Sequence, residues 1–158
     1  MHCGITVNLV STKIIQYGTE SSVILDCDYT YGEKNQGLVV KWFFKSKMNL
    51  VYQWIQSQKP QEVGILRGRL DLNYKASDDP LKMYRAMRIV KLDTDLSGEY
   101  FCVVSSFIDE DYKSKNMTIF GKYKALQTNS QLNNTTHSTQ TVELIAWLRS
   151  TSFMGSVS

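Results

Sequence analysis

Cys27, Trp42 and Cys102 each fall on the inward-facing parity of a different β-favouring run, and this most narrows what the chain can become. In "SSVILDCDY", alternation groups Val23, Leu25 and Cys27 on one face. "LVVKWFFK" turns Val40, Trp42 and Phe44 inward and leaves Lys41, Phe43 and Lys45 on the other face, while "GEYFCVVSSF" groups Tyr100, Cys102 and Val104. Short runs of this kind, separated by turn residues, continue from residue 5 to residue 120, and no apolar spacing of three and four asks for a helix. "NLVYQWI" is a further run after a turn at residues 46–49. "GILRGRLDLNY", beyond the break at Lys59-Pro60, offers one or two more strands, and "ASDDP" marks a turn. Then "MYRAMRIVKL" sets Met87 and Ile89 against Arg88, and "KSKNMTIF" sets Met117 and Ile119 against Asn116 and Thr118. The region is all-β.

Composition excludes several classes of function. Hydrophobic residues at 42% and charged residues at 21% suit a soluble globular domain of ordinary size within 158 residues. A formal charge of +3, with its eighteen basic residues scattered, does not predict nucleic acid as a partner. The densest basic stretch, "KWFFKSK", reads as the solvated side and end of a strand. There is no C-x-x-C pair, and His2 and His137 lie far apart, so neither a metal site nor a cofactor is expected. No acid–base pair or phosphate loop stands out, and no enzyme activity is expected.

Beyond Gly121 the composition shifts. From Gln127 to Thr141 every residue except Leu132 and His137 is Ser, Thr, Asn or Gln, so residues 121–158 are expected to be a linker and a poorly ordered tail. "VELIAWL" is far shorter than the roughly 20 residues that cross a bilayer. The start lacks the pattern of an export signal. An extracellular or plasma-membrane-surface protein then implies an incomplete gene model, with the signal peptide and any membrane anchor outside this chain. Asn116, Asn133 and Asn134 each begin a glycosylation sequon, which supports a secretory route only if the cysteines point there too.

"LDTDLSGEYFC" admits two readings: a nucleophilic cysteine in a polar pocket, or a structural corner. A nucleophile would want a histidine partner, and neither His2 nor His137 lies in a convincing strand. Cys27, Trp42 and Ser97-Gly98-x-Tyr100-x-Cys102, at even strand spacing, resemble the V-set of the immunoglobulin superfamily over residues 5–120. "VVKWFF", "VYQWI" and "DLSGEYFC" further resemble arthropod neuronal surface immunoglobulin proteins of the beaten-path kind. The resemblance implies a V-type β-sandwich of two antiparallel sheets, a Cys27–Cys102 disulfide packed on Trp42, and a corner made by Tyr100; Cys3 is then left over. V-set domains place an aspartate directly before the small residue of this corner, to pair with an arginine. Here Leu96 holds that position and Asp95 lies one earlier, which leaves a pair between Asp95 and Arg69 open. The final strand also lacks the Gly-x-Gly bulge of antigen-receptor variable domains.

The resemblance also locates a binding face. The strands beginning at Val39, Leu50, Glu99 and Lys113 would form one sheet, with Phe43, Lys45, Tyr52, Trp54, Phe101 and Val103 on its outer side as partner-binding residues. The acidic tip Asp109 to Asp111 lies beside that face and would steer a basic partner. The expected function is extracellular protein–protein recognition by a cell-surface adhesion or signalling receptor or ligand. Its partner would be another immunoglobulin-type surface domain or a second copy of the chain, giving a homodimer through this sheet. The alternative is a secreted soluble immune or decoy binding protein.

Overall fold

The computed structural model describes residues 4–9 and 13–121. Cys3, Asn133, Asn134 and all of the expected linker and tail after Gly121 lie outside the described residues. Ten strands occur in the described chain: β1 (Thr6–Leu9), β2 (Lys13–Gln16), β3 (Val23–Leu25), β4 (Cys27–Thr30), β5 (Val39–Phe44), β6 (Leu50–Ile55), β7 (Gln61–Glu62), β8 (Met87–Ile89), β9 (Gly98–Ser105) and β10 (Glu110–Phe120). The larger sheet has six strands in the order β2-β10-β9-β5-β6-β7. Opposite it are two ladders, β1-β4 and β3-β8. β3 and β4 are successive parts of one extended segment, interrupted at Asp26, whose carboxylate accepts the Cys27 N–H at 2.7 Å. The pairs are antiparallel except β2–β10, which is parallel. The amino-terminal segment thus serves both layers, first through β1 and then through β2.

Alternation fills the space between the layers. Val40, Trp42, Phe44, Tyr100, Cys102 and Val104 of the large sheet pack in one core with Val23, Cys27, Tyr29, Met87 and Ile89 of the other layer. Cys27 and Cys102 are bonded across it, with Cα atoms 6.3 Å apart. Closing a loop of 75 residues this way stabilises the fold by about 4.5 kcal/mol on the chain-entropy account. Trp42 is 1% exposed, and its indole N–H donates to the Arg85 carbonyl at 3.1 Å, so the buried ring leaves no polar atom orphaned.

The corner before Cys102 is built from local bonds. Asp93 accepts the Thr94 N–H at 2.6 Å and opens a 3₁₀ turn over Thr94–Leu96. This turn puts Leu96 fully in the core and leaves Asp95 exposed. The Tyr100 hydroxyl donates to the Leu96 carbonyl at 2.7 Å, and burial pushes that phenol well above its usual range. The shifted aspartate still pairs: Asp95 receives both Arg69 guanidinium nitrogens at 2.9 Å. Gly98 has φ +154°, and a Cβ there would stand 2.9 Å from the Phe44 ring, so the approach of corner to strand requires glycine.

The strands expected in "GILRGRLDLNY" do not form. Gly64 at φ +59° and Gly68 at φ +72° bend the chain into a 3₁₀ turn, Gly64–Leu66, followed by a single bridge between Leu70 and Ile89. Residues 79–86 are instead tied to β4 by side chains. Arg85 binds Asp26 at 2.9 and 3.0 Å and Asp28 at 2.7 Å, and Lys82 reaches Asp28 at 3.1 Å. The Tyr29 hydroxyl donates to the Leu81 carbonyl. Burial raises the Asp28 pKa, but the Lys82 hydrogen bond and the charges of Arg85 and Lys82 outweigh it and hold the carboxyl below its ordinary value.

Two outcomes follow from this packing. Replacing both bridge cysteines, Cys27→Ser with Cys102→Ser, lowers the unfolding free energy in a urea titration by about 2–5 kcal/mol; a loss under about 1 kcal/mol would mean that packing alone holds the layers together. Because Asp28 is depressed in the folded state, its stabilisation is fully present above the unfolded value of 3.8 and is lost as pH falls through the lower folded value. Asp28→Asn therefore flattens the acid limb of a Tm-against-pH profile, and an unchanged limb would assign acid unfolding to other carboxylates.

Candidate protein-binding face

Cross-strand register sorts the outer side of the large sheet into rows. One row runs Tyr112, Val103, Lys41, Gln53 and Gln61 across β10, β9, β5, β6 and β7. The next runs Ser114, Phe101, Phe43 and Leu50, and the third begins with Asn116 and Glu99. Lys41, Phe43 and Phe101 are half-buried, as side chains standing shoulder to shoulder on a pleated surface should be, and Tyr112 is 49% exposed. Lys47 projects from the β5–β6 turn with its ammonium 3.0 Å from the centroid of the Tyr112 ring. Since β9 lies between β5 and β10, this side chain spans the outer face. Glu99 accepts the Ser114 hydroxyl at 2.6 Å. The middle of the face is thus apolar, with cations and amides around it.

Register corrects two of the expected positions, and burial and backbone conformation correct two more. Tyr52 stands opposite Trp42, and Trp54 opposite Val40, so both face the core; each is 2% exposed. The cause is a bulge between Trp42 and Phe43: Phe43 pairs with Leu50 and Trp42 with Tyr52, so Val51 is the extra residue and the parity of β6 changes there. Tyr52 donates its hydroxyl to the Tyr84 carbonyl at 2.7 Å, and burial pushes its phenol well above the usual range. Trp54 donates to the Gln58 carbonyl at 3.1 Å and meets Tyr84 edge-on. Val103 lies in the outer row but is only 9% exposed. Lys45 follows the end of β5 at φ +61°, which turns it out of the row, and its ammonium lies 5.0 Å from the Phe44 ring. Phe43 and Phe101 stand on the outer face as expected. Tyr112, Lys47 and Gln53 were missed; the sequence signal was Gln53, a polar residue between two rings, which marks the outward parity of β6.

The acidic tip is partly structural. Asp109 accepts the Ile5 N–H at 2.6 Å and Asp111 the Val7 N–H at 2.8 Å, so two of its three carboxylates hold the amino-terminal strand. Among the described residues no group of His, Cys, Asp and Glu is placed to hold a metal ion, and no helix is long and apolar enough to cross a membrane.

No protein-family model and no curated protein matches this chain. Solved structures do. The tandem V-type regions of VCBP3, a v-region-containing chitin binding protein, superpose with a TM-score of 0.57 at 16% identity over 75% of this chain, which spans about half, 52%, of that one. The human B7-H4 IgV-like domain gives 0.56 at 18% identity, covering 73% of this chain and 96% of that domain. A chain from a structure of T cell specificity and activation by the bacterial superantigen toxic shock syndrome toxin-1 gives 0.54 at 17% identity, covering 74% of this chain and all, 100%, of that one.

The fold is an immunoglobulin V-type sandwich.

In this V-type fold the Cys27–Cys102 bridge, Trp42 and the Tyr100 corner hold the layers, and the outer face described above lies on the opposite side of the large sheet from them. The reassignment of β6 can be checked by stability. Trp54→Ala lowers the unfolding free energy by about 3–5 kcal/mol, and Tyr112→Ser by no more than about 0.5 kcal/mol. The reverse order in chemical denaturation would return Trp54 to the surface.

Proposed function

We propose that this chain is an extracellular recognition module that binds another protein, an immunoglobulin-type domain on a cell surface, in adhesion or signalling between cells. The observation that carries this reading is the outer face itself. Phe43 and Phe101 form its apolar middle over the nearly buried Val103, and Tyr112, Lys41, Lys47 and Gln53 supply rings, cations and amide groups around them. Protein interfaces use this arrangement, with an apolar centre that loses water and a polar rim that fixes register. The core disulfide supports the extracellular placement, because such bonds persist in oxidising compartments. Nothing in the V-type fold supplies chemistry of its own, so binding is favoured over catalysis.

Charge narrows the partner. Lys41 and Lys47 lie on or across the middle of the face, while Glu110 and Glu99 stand in the rows on either side of it, Glu99 accepting the Ser114 hydroxyl. A partner with carboxylates opposite Lys41 and Lys47 and basic groups opposite Glu99 and Glu110 complements it and associates more slowly as salt rises.

The test is a binding screen of the full chain, produced through a secretory pathway and multimerised, against immunoglobulin-type ectodomains that include the chain itself. The expected result is a partner whose binding is abolished by Phe43→Asp and slowed by Lys41→Glu, with Tm unchanged in Lys41→Glu. A partner bound equally well by wild type and both variants would place the interface elsewhere.

A further inference from the structure

Of the three sequon asparagines, Asn116 lies among the described residues, and its setting on β10 is specific. Asn116 and Thr118 are both exposed and share the outer side of the strand, while Met117 between them is buried at 1%. A residue can therefore carry a large group at 116 without any change in the core. On the neighbouring parallel strand, Ile14 stands opposite Thr118 and is 74% exposed, and the next outward residue of β10, Phe120, is 45% exposed. This corner of the sheet offers apolar side chains that nothing in the described residues covers. On the other side, Glu99 faces Asn116 directly and Phe101 lies one row further on. The buried disulfide favours an oxidising compartment, and in a eukaryotic secretory route that compartment is also where sequons are modified.

We propose that Asn116 carries an N-linked glycan whose first sugars cover the Ile14–Thr118 corner and confine partner docking to the rest of the face, from the row of Phe43 and Phe101 to the row of Tyr112, Lys41 and Gln53. In the modification the Asn116 amide nitrogen forms a bond to the anomeric carbon of an oligosaccharide held on a lipid diphosphate. The anomeric carbon–oxygen bond breaks, the lipid diphosphate leaves, and the amide gives up one proton. The division of the face rests on the reading that this face binds a protein; occupancy of Asn116 does not.

The experiment takes the full chain from a eukaryotic secretory host. Enzymatic deglycosylation in heavy-oxygen water is expected to convert Asn116 to labelled Asp, and Asn116→Gln and Thr118→Ala are each expected to lose one glycan while the Cys27–Cys102 bridge stays intact. An unmodified Asn116 peptide in the bridged, secreted chain overturns the site. Hydroxyl-radical footprinting then reads coverage: Ile14 and Phe120 are oxidised several-fold less with the glycan than after its removal, and Tyr112 equally in both. Equal oxidation of Ile14 overturns the cover. In a partner assay, Asn116→Gln leaves affinity unchanged and Phe43→Asp abolishes it. A change of about tenfold or more in Asn116→Gln overturns the division of the face, whereas binding that survives Phe43→Asp counts against the docking face and not against the glycan.

Discussion

The Cys27–Cys102 bond is the constraint on which the other features hang. It joins β4 of one layer to β9 of the other through the core, and β9 is the strand flanked by both β10 and β5. Its position decides which side of β9 is inside, and therefore which residues of β5 and β10 meet solvent. The corner at Thr94–Leu96 and the close approach at Gly98 deliver β9 to that bond at the required height. Trp42 then fills the neighbouring volume and pins residues 79–86 through the Arg85 carbonyl, while Arg85 itself clasps Asp26 and Asp28 beside Cys27.

A V-type sandwich divides its residues sharply by parity, and this is why so much of it is legible from sequence. Strands that alternate cleanly, such as "LVVKWFF" and "KNMTIF", announce their faces, and the buried and exposed sides fall where alternation puts them. Alternation failed where the backbone departs from the pleat. In β6, one extra residue at Val51 moves Tyr52 and Trp54 from the surface into the core, and no propensity marks a bulge in advance. At Lys45 a positive φ just past the strand end ends the alternation one residue early. "GILRGRLDLNY" has enough apolar residues for a strand, but two glycines in left-handed conformations bend it.

The corner shows the opposite case, in which a shifted residue is absorbed by geometry. Asp95 lies one position from where the V-set pattern puts its acid, yet the 3₁₀ turn rotates it outward and buries Leu96, and the bidentate pair with Arg69 forms. The candidate face was only half legible for a related reason. Phe43 and Phe101 follow from parity within their own strands, but the place of Tyr112 and Lys47 depends on cross-strand register and on the reach of one side chain over β9. Those are properties of pairing, and a single run of sequence does not contain them.

The parallel pairing of β2 with β10 bears on how such a domain responds to mechanical load. The chain enters β2 at Lys13 and leaves β10 at Phe120, and both strands run the same way. Tension from the amino-terminal side reaches β2 through β1, so it is the β1–β4 ladder that is loaded first; force that reaches Lys13, balanced at Phe120, pulls β2 and β10 in opposite directions along their common axis. The ladder bonds between them are then loaded together in shear, whereas two antiparallel strands pulled from one end would part bond by bond like a zipper. A domain loaded through such a strand pair would resist brief pulling forces out of proportion to its equilibrium stability.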